Sequence, residues 1–170
     1  MTHVCLRAVT KKTFHECIKL DVAPDQQRFV APNQYSLAQA AVNPLLHPWA
    51  IYDGSVIGLD LTDEHEMVGF CMYQLMDGVA FVVRLMIDQR FQGRGYGRAA
   101  MLDMLERFKR TPGLEIIATS VHRENPAAMG LYRSLGFVDN PIKDDPVEQY
   151  LVLDWPPGTV ARLHEYHPPT

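Results

Sequence analysis

No apolar run in this chain approaches the length that a bilayer crossing requires. The first stretch, MTHVCLRAVTKK, also lacks the positive-then-apolar order of a secretory signal. Cysteine is scarce: Cys5, Cys17 and Cys71 are an odd set with no CxxC pair and no Cys/His spacing for zinc. They read as reduced thiols in or near the core of a cytoplasmic protein. Histidines are scattered, with only His164 and His167 close together, so no metal site is expected. A surplus of positive charge is missing too. The formal net charge of -4 argues against a nucleic-acid binder of the basic-patch kind.

What is present suits a globular domain. Apolar residues make up 47% of the 170 positions, enough to build one core. LRAV (6–9) reads as a strand, and 11–20 as a helix carrying Phe14, Cys17, Ile18 and Leu20. The stretch 21–33 is polar, is broken by Pro24 and Pro32, and reads as loop. Ser36 is expected to cap a helix through Val42, with Gln39 in the capping-box position. WAIYD (49–53) is a strand. GFCMYQL (69–75) and VAFVVRLMI (79–87) are strands joined at Asp77-Gly78, a strong hairpin dipeptide.

A helix is expected from about Gly95 to Arg110, with Met101, Met104, Leu105 and Phe108 on one face, ending at Thr111-Pro112-Gly113. LEIIATSV (114–121) reads as a buried strand. Asn125-Pro126 then supplies an N-cap and a first-turn proline, and Gly136 a left-handed stop. YLVLDW (150–155) is a last strand, and 156–170 a Pro-rich, partly disordered extension. The mixture of hairpins with a strand–helix–strand crossover predicts an α+β fold around one mixed, mostly antiparallel sheet flanked by helices.

The most informative run is LMIDQRFQGRGYGRAA (85–100). A strand ends in Asp88, passes through Gly93, Gly95 and Gly97, and opens into a helix. Glycine lets a backbone approach an anion closely, and a helix N-terminus adds positive charge there. The Rossmann spacing fails because its third glycine would fall at Arg98. The P-loop Gly-Lys-Ser/Thr ending is absent.

What remains, Gln92-x-x-Gly95-x-Gly97, resembles the pyrophosphate motif of the GNAT superfamily of acetyl-CoA-dependent N-acetyltransferases. Downstream, Asn125 and the segment Leu131-Tyr132-Arg133-Ser134-Leu135-Gly136-Phe137 resemble the second GNAT signature. The resemblance covers residues 4–154, so a GNAT-type domain is assigned to 1–155. Residues 25–40 and 84–97 look most like bacterial diamine and spermidine/spermine acetyltransferases.

The resemblance implies acetyl-CoA as donor, with coenzyme contacts from Leu85, Met86, Ile87, Gln92, Gly93, Arg94, Gly95, Tyr96, Gly97, Asn125 and Ala128. Arg90 and Arg94 would add charge, and an N–H of the 85–87 strand end would face the developing oxyanion. Asn125 serves equally well as a plain helix cap. Tyr132 is the implied acid for the leaving thiolate, since a phenol of pKa about 10 stays protonated at neutral pH. A primary amine of pKa about 10.4 is almost wholly protonated at pH 7, so a base or a pKa shift is also needed. Asp88, Glu148, Asp21 and Asp25 are the alternatives.

A small cationic amine, a polyamine or diamine, is the expected acceptor. It would meet the front loop through Asp25, Gln27, Phe29 and Tyr35, with Asp21, Gln26, Asn33 and Val30 nearby. An aminoglycoside-like antibiotic, an amino acid or a protein amine would be received by the same chemistry. A non-catalytic acyl-CoA sensor is the rival from another class. Dimers are common in the family, which leaves a homodimer open. Neither a nucleic acid nor a membrane is expected as partner.

Overall fold

A computed structural model describes residues 2–54, 65–140, 143 and 145–165. The chain runs β1 (Val4–Ala8), α1 (Phe14–Cys17), α2 (Asn33–Val42), β2 (Leu46–Asp53), β3 (Met67–Met76) and β4 (Val79–Ile87). It continues through α3 (Tyr96–Lys109), β5 (Ile116–His122), α4 (Pro126–Ser134), β6 (Phe137–Asp139), β7 (Glu148–Leu153) and α5 (Thr159–Glu165). The strands form one sheet in the order β1-β2-β3-β4-β5-β7-β6. Every pairing is antiparallel except β4 with β5.

The hairpin between β3 and β4 turns at Asp77 and Gly78, with φ of 46° and 80°. Both values are left-handed, as a tight two-residue turn requires. One face of the sheet packs Val68, Cys71, Tyr73 and Val82 against Met101, Met104, Leu105 and Phe108 of α3 and Tyr132 of α4. The other packs Tyr52, Met67, Phe70, Met72 and Met86 against Cys17, Leu20, Leu37 and Ala40 from the α1–α2 region. Helices on both faces bury the sheet, which explains why β3 reads as a continuous apolar run rather than alternating.

The one parallel pairing shapes everything functional. β4 and β5 pair only from Val79↔Ile116 to Val82↔Thr119. Beyond that point β4 continues to Ile87 and β5 to His122, so the two strands splay and open a wedge in the sheet. A register shift against β3 between Met72 and Tyr73 inserts Val83 as an extra residue just where the splay begins.

Several sequence expectations are corrected. The helix expected over 11–20 is one turn long. Asp21 is pulled aside: its N–H donates to Asp88 Oδ2 at 3.1 Å and its carbonyl accepts from Gln89 N–H at 2.9 Å. Ser36 does not cap α2. The helix starts four residues earlier than that cap implies, after Pro32, and Ser36 is buried inside it. Gln39 makes no capping box; its Oε1 accepts from Arg84 Nη2 at 3.5 Å. β6 is a short strand that the sequence reading missed, held on its edge by pairing with β7 and by the Arg133–Asp139 ion pair. Within the extension, 159–165 is helical, with Val160 N–H capped by Asp154 Oδ1 at 3.0 Å.

Candidate active site

The wedge between β4 and β5 opens into a cleft of about 430 Å³. Its walls are the splayed strands, its floor the N-terminal turns of α3 and α4, and its front the loop 22–30. Of the expected coenzyme contacts, Leu85, Met86, Ile87, Gln92, Gly93, Gly95, Tyr96, Gly97, Asn125 and Ala128 line it, together with Tyr132. The structure therefore brings both sequence motifs to one place.

The glycine turn is conformationally demanding. Gly93 and Gly95 have φ of 75° and 85°, a region that side chains disfavour. Gly95 is also the N-cap of α3 and offers no side-chain cap, so the first-turn N–H groups keep their donor capacity. A Cβ at Gly93 would meet nothing within 4 Å. Open space, bare N–H groups and the helix dipole together fit a pyrophosphate. The arginines serve this turn differently from expectation. Arg90 is bound to Asp88 through Nε at 2.8 Å, and Arg94 lies over the Phe91 ring at 5.6 Å, outside the cleft lining.

Asp88 is the latch of the turn. Its carboxylate accepts from Arg90 N–H at 3.0 Å, from the Arg90 side chain and from Asp21 N–H. Burial pushes its pKa up, but these hydrogen bonds outweigh burial and hold the carboxyl below its ordinary range. A carboxylate so occupied is a poor proton acceptor.

On β4 the backbone alternates. Asp88 N–H donates to Val68 O across the β3 pairing. The antiparallel pattern then directs Met86 main-chain groups toward β3 and those of Leu85 and Ile87 into the wedge. Gln92 Nε2 covers Ile87 O at 2.9 Å and Arg84 Nη1 covers Val83 O at 2.8 Å, leaving the Leu85 main chain between them. Met86 is thus the exception among the three strand-end residues. Its side chain is buried on the opposite face beside Asn33, which donates to Met86 Sδ at 3.8 Å.

Asn125 caps α4, accepting from Ala128 N–H at 3.1 Å through Oδ1. Its amide nitrogen remains for other partners. Tyr132, two turns along, is 5% exposed and meets Phe137 edge-on at 5.4 Å. Burial pushes its phenol up to about 12, against a lowering by the Thr119 hydroxyl. Thr119 and Tyr132 reach the wedge from the α4 face of the sheet. His122 and Glu148, paired in register, point to the other face, where the front loop lies.

The front loop divides. Phe29 lines the cleft and contacts the His122 ring at 5.1 Å. Gln26 also lines it and accepts from Gln92 Nε2 at 2.8 Å, while Arg28 pairs with Glu124 at 2.6 Å. The loop thereby bridges both walls of the wedge. Asp25, Gln27 and Tyr35, by contrast, are not among the lining residues. Gln27 donates to Asp21 at 3.0 Å, and Tyr35 is 55% exposed. Asn33 is buried and donates to Cys17 O at 2.9 Å. Of the four carboxylates considered as bases, Glu148 alone lines the cleft.

Sequence reading missed Arg84, Thr119 and His122, all of which line the cleft. Arg84 carried a usable signal: a guanidinium interrupting the otherwise apolar strand 79–87. Among the described residues no three His, Cys, Asp or Glu side chains stand close enough to hold a metal, and no helix is long and apolar enough to cross a membrane.

A mixed sheet, opened by splayed parallel strands above two helix N-termini, defines an acyl-CoA transferase architecture. The description "Acetyltransferase (GNAT) family" matches residues 28–137, and the chain belongs to that family. It is 31% identical over 87 residues to the [Ribosomal protein bS18]-alanine N-acetyltransferase of Salmonella typhimurium, a match covering 51% of this chain and 58% of that protein. It is 24% identical over 157 residues to the Spermine/spermidine N(1)-acetyltransferase of Bacillus subtilis, covering 88% of this chain and 97% of that protein. Among solved structures, spermidine N-acetyltransferase from Vibrio cholerae, in complex with CoA and spermine, shares the fold with a TM-score of 0.65. Its identity is 16%, over 88% of this chain and 93% of that one.

Proposed function

We propose that this protein transfers an acetyl group from acetyl-CoA to a primary amine by direct attack. The observation that carries the reading is the convergence of the glycine turn, the outward-facing Leu85 main chain and Tyr132 on a single cleft. Bound acetyl-CoA supplies the thioester. The N–H groups from Gly93 to Gly97 hold its pyrophosphate, while Asn125 and Ala128 on α4 and the Leu85–Ile87 edge align the pantetheine arm. The Leu85 N–H faces the acetyl oxygen and stabilises the negative charge that develops there.

The acceptor approaches from the opposite face of the sheet, under Phe29 and beside His122 and Glu148. Its nitrogen bonds to the acetyl carbon as the C–S bond breaks. The ammonium yields two protons in all. One passes to solvent through Glu148, and the other replaces the proton that Tyr132 gives to sulfur. A phenol held near 12 keeps its proton throughout the physiological range, so the proton is there to be given.

Glu148 as the single carboxylate among the described lining residues suits an acceptor with one ammonium. A polyamine is the second reading, favoured by the similarity that spans 97% of the Bacillus subtilis Spermine/spermidine N(1)-acetyltransferase. Thiol release from acetyl-CoA, measured across monoamines, polyamines, aminoglycosides and peptides, tests the function. Turnover with at least one amine is expected. Acetyl-CoA binding without turnover of any amine would support a non-catalytic sensor instead.

A further inference from the structure

Arg84 lies in the middle of β4, one residue beyond the bulge at Val83 and opposite Met72. That register turns it to the α2 face of the sheet, the face from which the acceptor approaches. It lines the cleft, and a guanidinium among Val82, Val83, Leu85 and Met86 is costly unless its donors are matched. They are matched only in part. Nη1 donates to Val83 O at 2.8 Å and Nη2 reaches Gln39 Oε1 at 3.5 Å, the limit of a hydrogen bond. Nε is buried with no partner. Among the described residues no carboxylate makes an ion pair with Arg84. Tyr35 and Glu148 exert only a field on it, which partly offsets the lowering of its pKa by burial.

Resting on the acetyltransferase reading, we propose that Arg84 is a specificity residue that binds a carboxylate on the acceptor, which is therefore a small amine of the amino-acid kind. A planar guanidinium with unmatched donors suits a carboxylate fork-to-fork. Glu148, on the same face, takes the ammonium of the same molecule, and Val22, Val30 and Phe29 cover its methylenes. The cleft wall thus carries one cation and one anion for a substrate carrying the same two charges. A polyamine would place a second ammonium against Arg84 instead.

The test compares thiol release for matched acceptors: amino acids and ω-amino acids, their carboxamides, and diamines and spermidine of similar length. Wild type is expected to favour carboxylate over carboxamide at least about tenfold in kcat/KM, chiefly through KM. Arg84→Met is expected to collapse that ratio to about one, and Arg84→Lys to restore part of it. Calorimetric binding of acetyl-CoA checks that each variant keeps its coenzyme cleft. Equal use of carboxylate and carboxamide, preference for the polyamines, or an unchanged ratio in Arg84→Met would each overturn the proposal while leaving the acetyltransferase function in place. Failure of every amine would overturn both.

Discussion

Burial sets the protonation of Tyr132. In water a phenol loses its proton near pH 10; inside the wedge, desolvation pushes it up to about 12. The neutral form is thereby favoured in the folded state, and this has a consequence for stability. Below about pH 10 both folded and unfolded chains hold the proton and the stabilisation is complete. Above it the unfolded chain ionises first, so stability falls as pH rises toward 12. Urea unfolding at pH 9.5 and 11 should show a steeper loss for wild type than for Tyr132→Phe, by at most about 1.4 kcal/mol per pH unit. Equal slopes would mean that the phenol is not buried as described.

Single residues also explain which expectations failed. Asp88 offered itself as a base because it follows the coenzyme strand, yet Arg90 and Asp21 occupy its oxygens. Asn33 was expected near the acceptor in the front loop, but its nitrogen donates to a buried carbonyl of Cys17. Arg90 is a near neighbour of Asp88, but Asp21 and Cys17 lie 67 and 16 residues from the groups they bind. Nothing local announces the two distant partners.

Elements whose rules are local were legible. The Asp77-Gly78 hairpin, the Asn125-Pro126 start of α4 and the Gly136 stop each depend on a few adjacent residues, and each stands where it was expected. The glycine turn belongs with them. Gly95→Val is expected to strain a φ of 85° and push a branched Cβ toward Thr2 Oγ1, which a Cβ there would meet at 3.2 Å. Stability should fall by about 1 kcal/mol or more, and acetyl-CoA affinity by at least about tenfold, read by calorimetry.

Asn125→Ala removes a cap worth about 1 kcal/mol and should raise the KM for acetyl-CoA. Asn125→Ser, which restores the cap alone, should recover the melting temperature but not the KM. Recovery of both would reduce Asn125 to a cap.

At the scale of the whole molecule, the wedge depends on topology rather than on any segment. Its opening requires β4 and β5 to be parallel neighbours that part company after Val82↔Thr119. A bulge at Val83 and a covering loop anchored through Gln26 and Arg28 complete it. The sequence reading reached a strand–helix–strand crossover and, through the family resemblance, an exposed strand end at 85–87, but not the splay, the bulge or the loop anchors. The acceptor side was legible only in part, in Phe29 and Glu148, for the same reason. Arg84, His122 and Glu148 come from three strands and meet only once the sheet has formed. The front-loop residues Asp25, Gln27 and Tyr35, which looked right by composition, sit outside the lining.

The central claim is that this cleft transfers acetyl with Tyr132 as the acid. The most direct measurement is steady-state thiol release by wild type and Tyr132→Phe with the best amine from the panel, at saturating acetyl-CoA. The account predicts a kcat lower by about 100-fold in the variant with acetyl-CoA affinity retained. An unchanged kcat would contradict it.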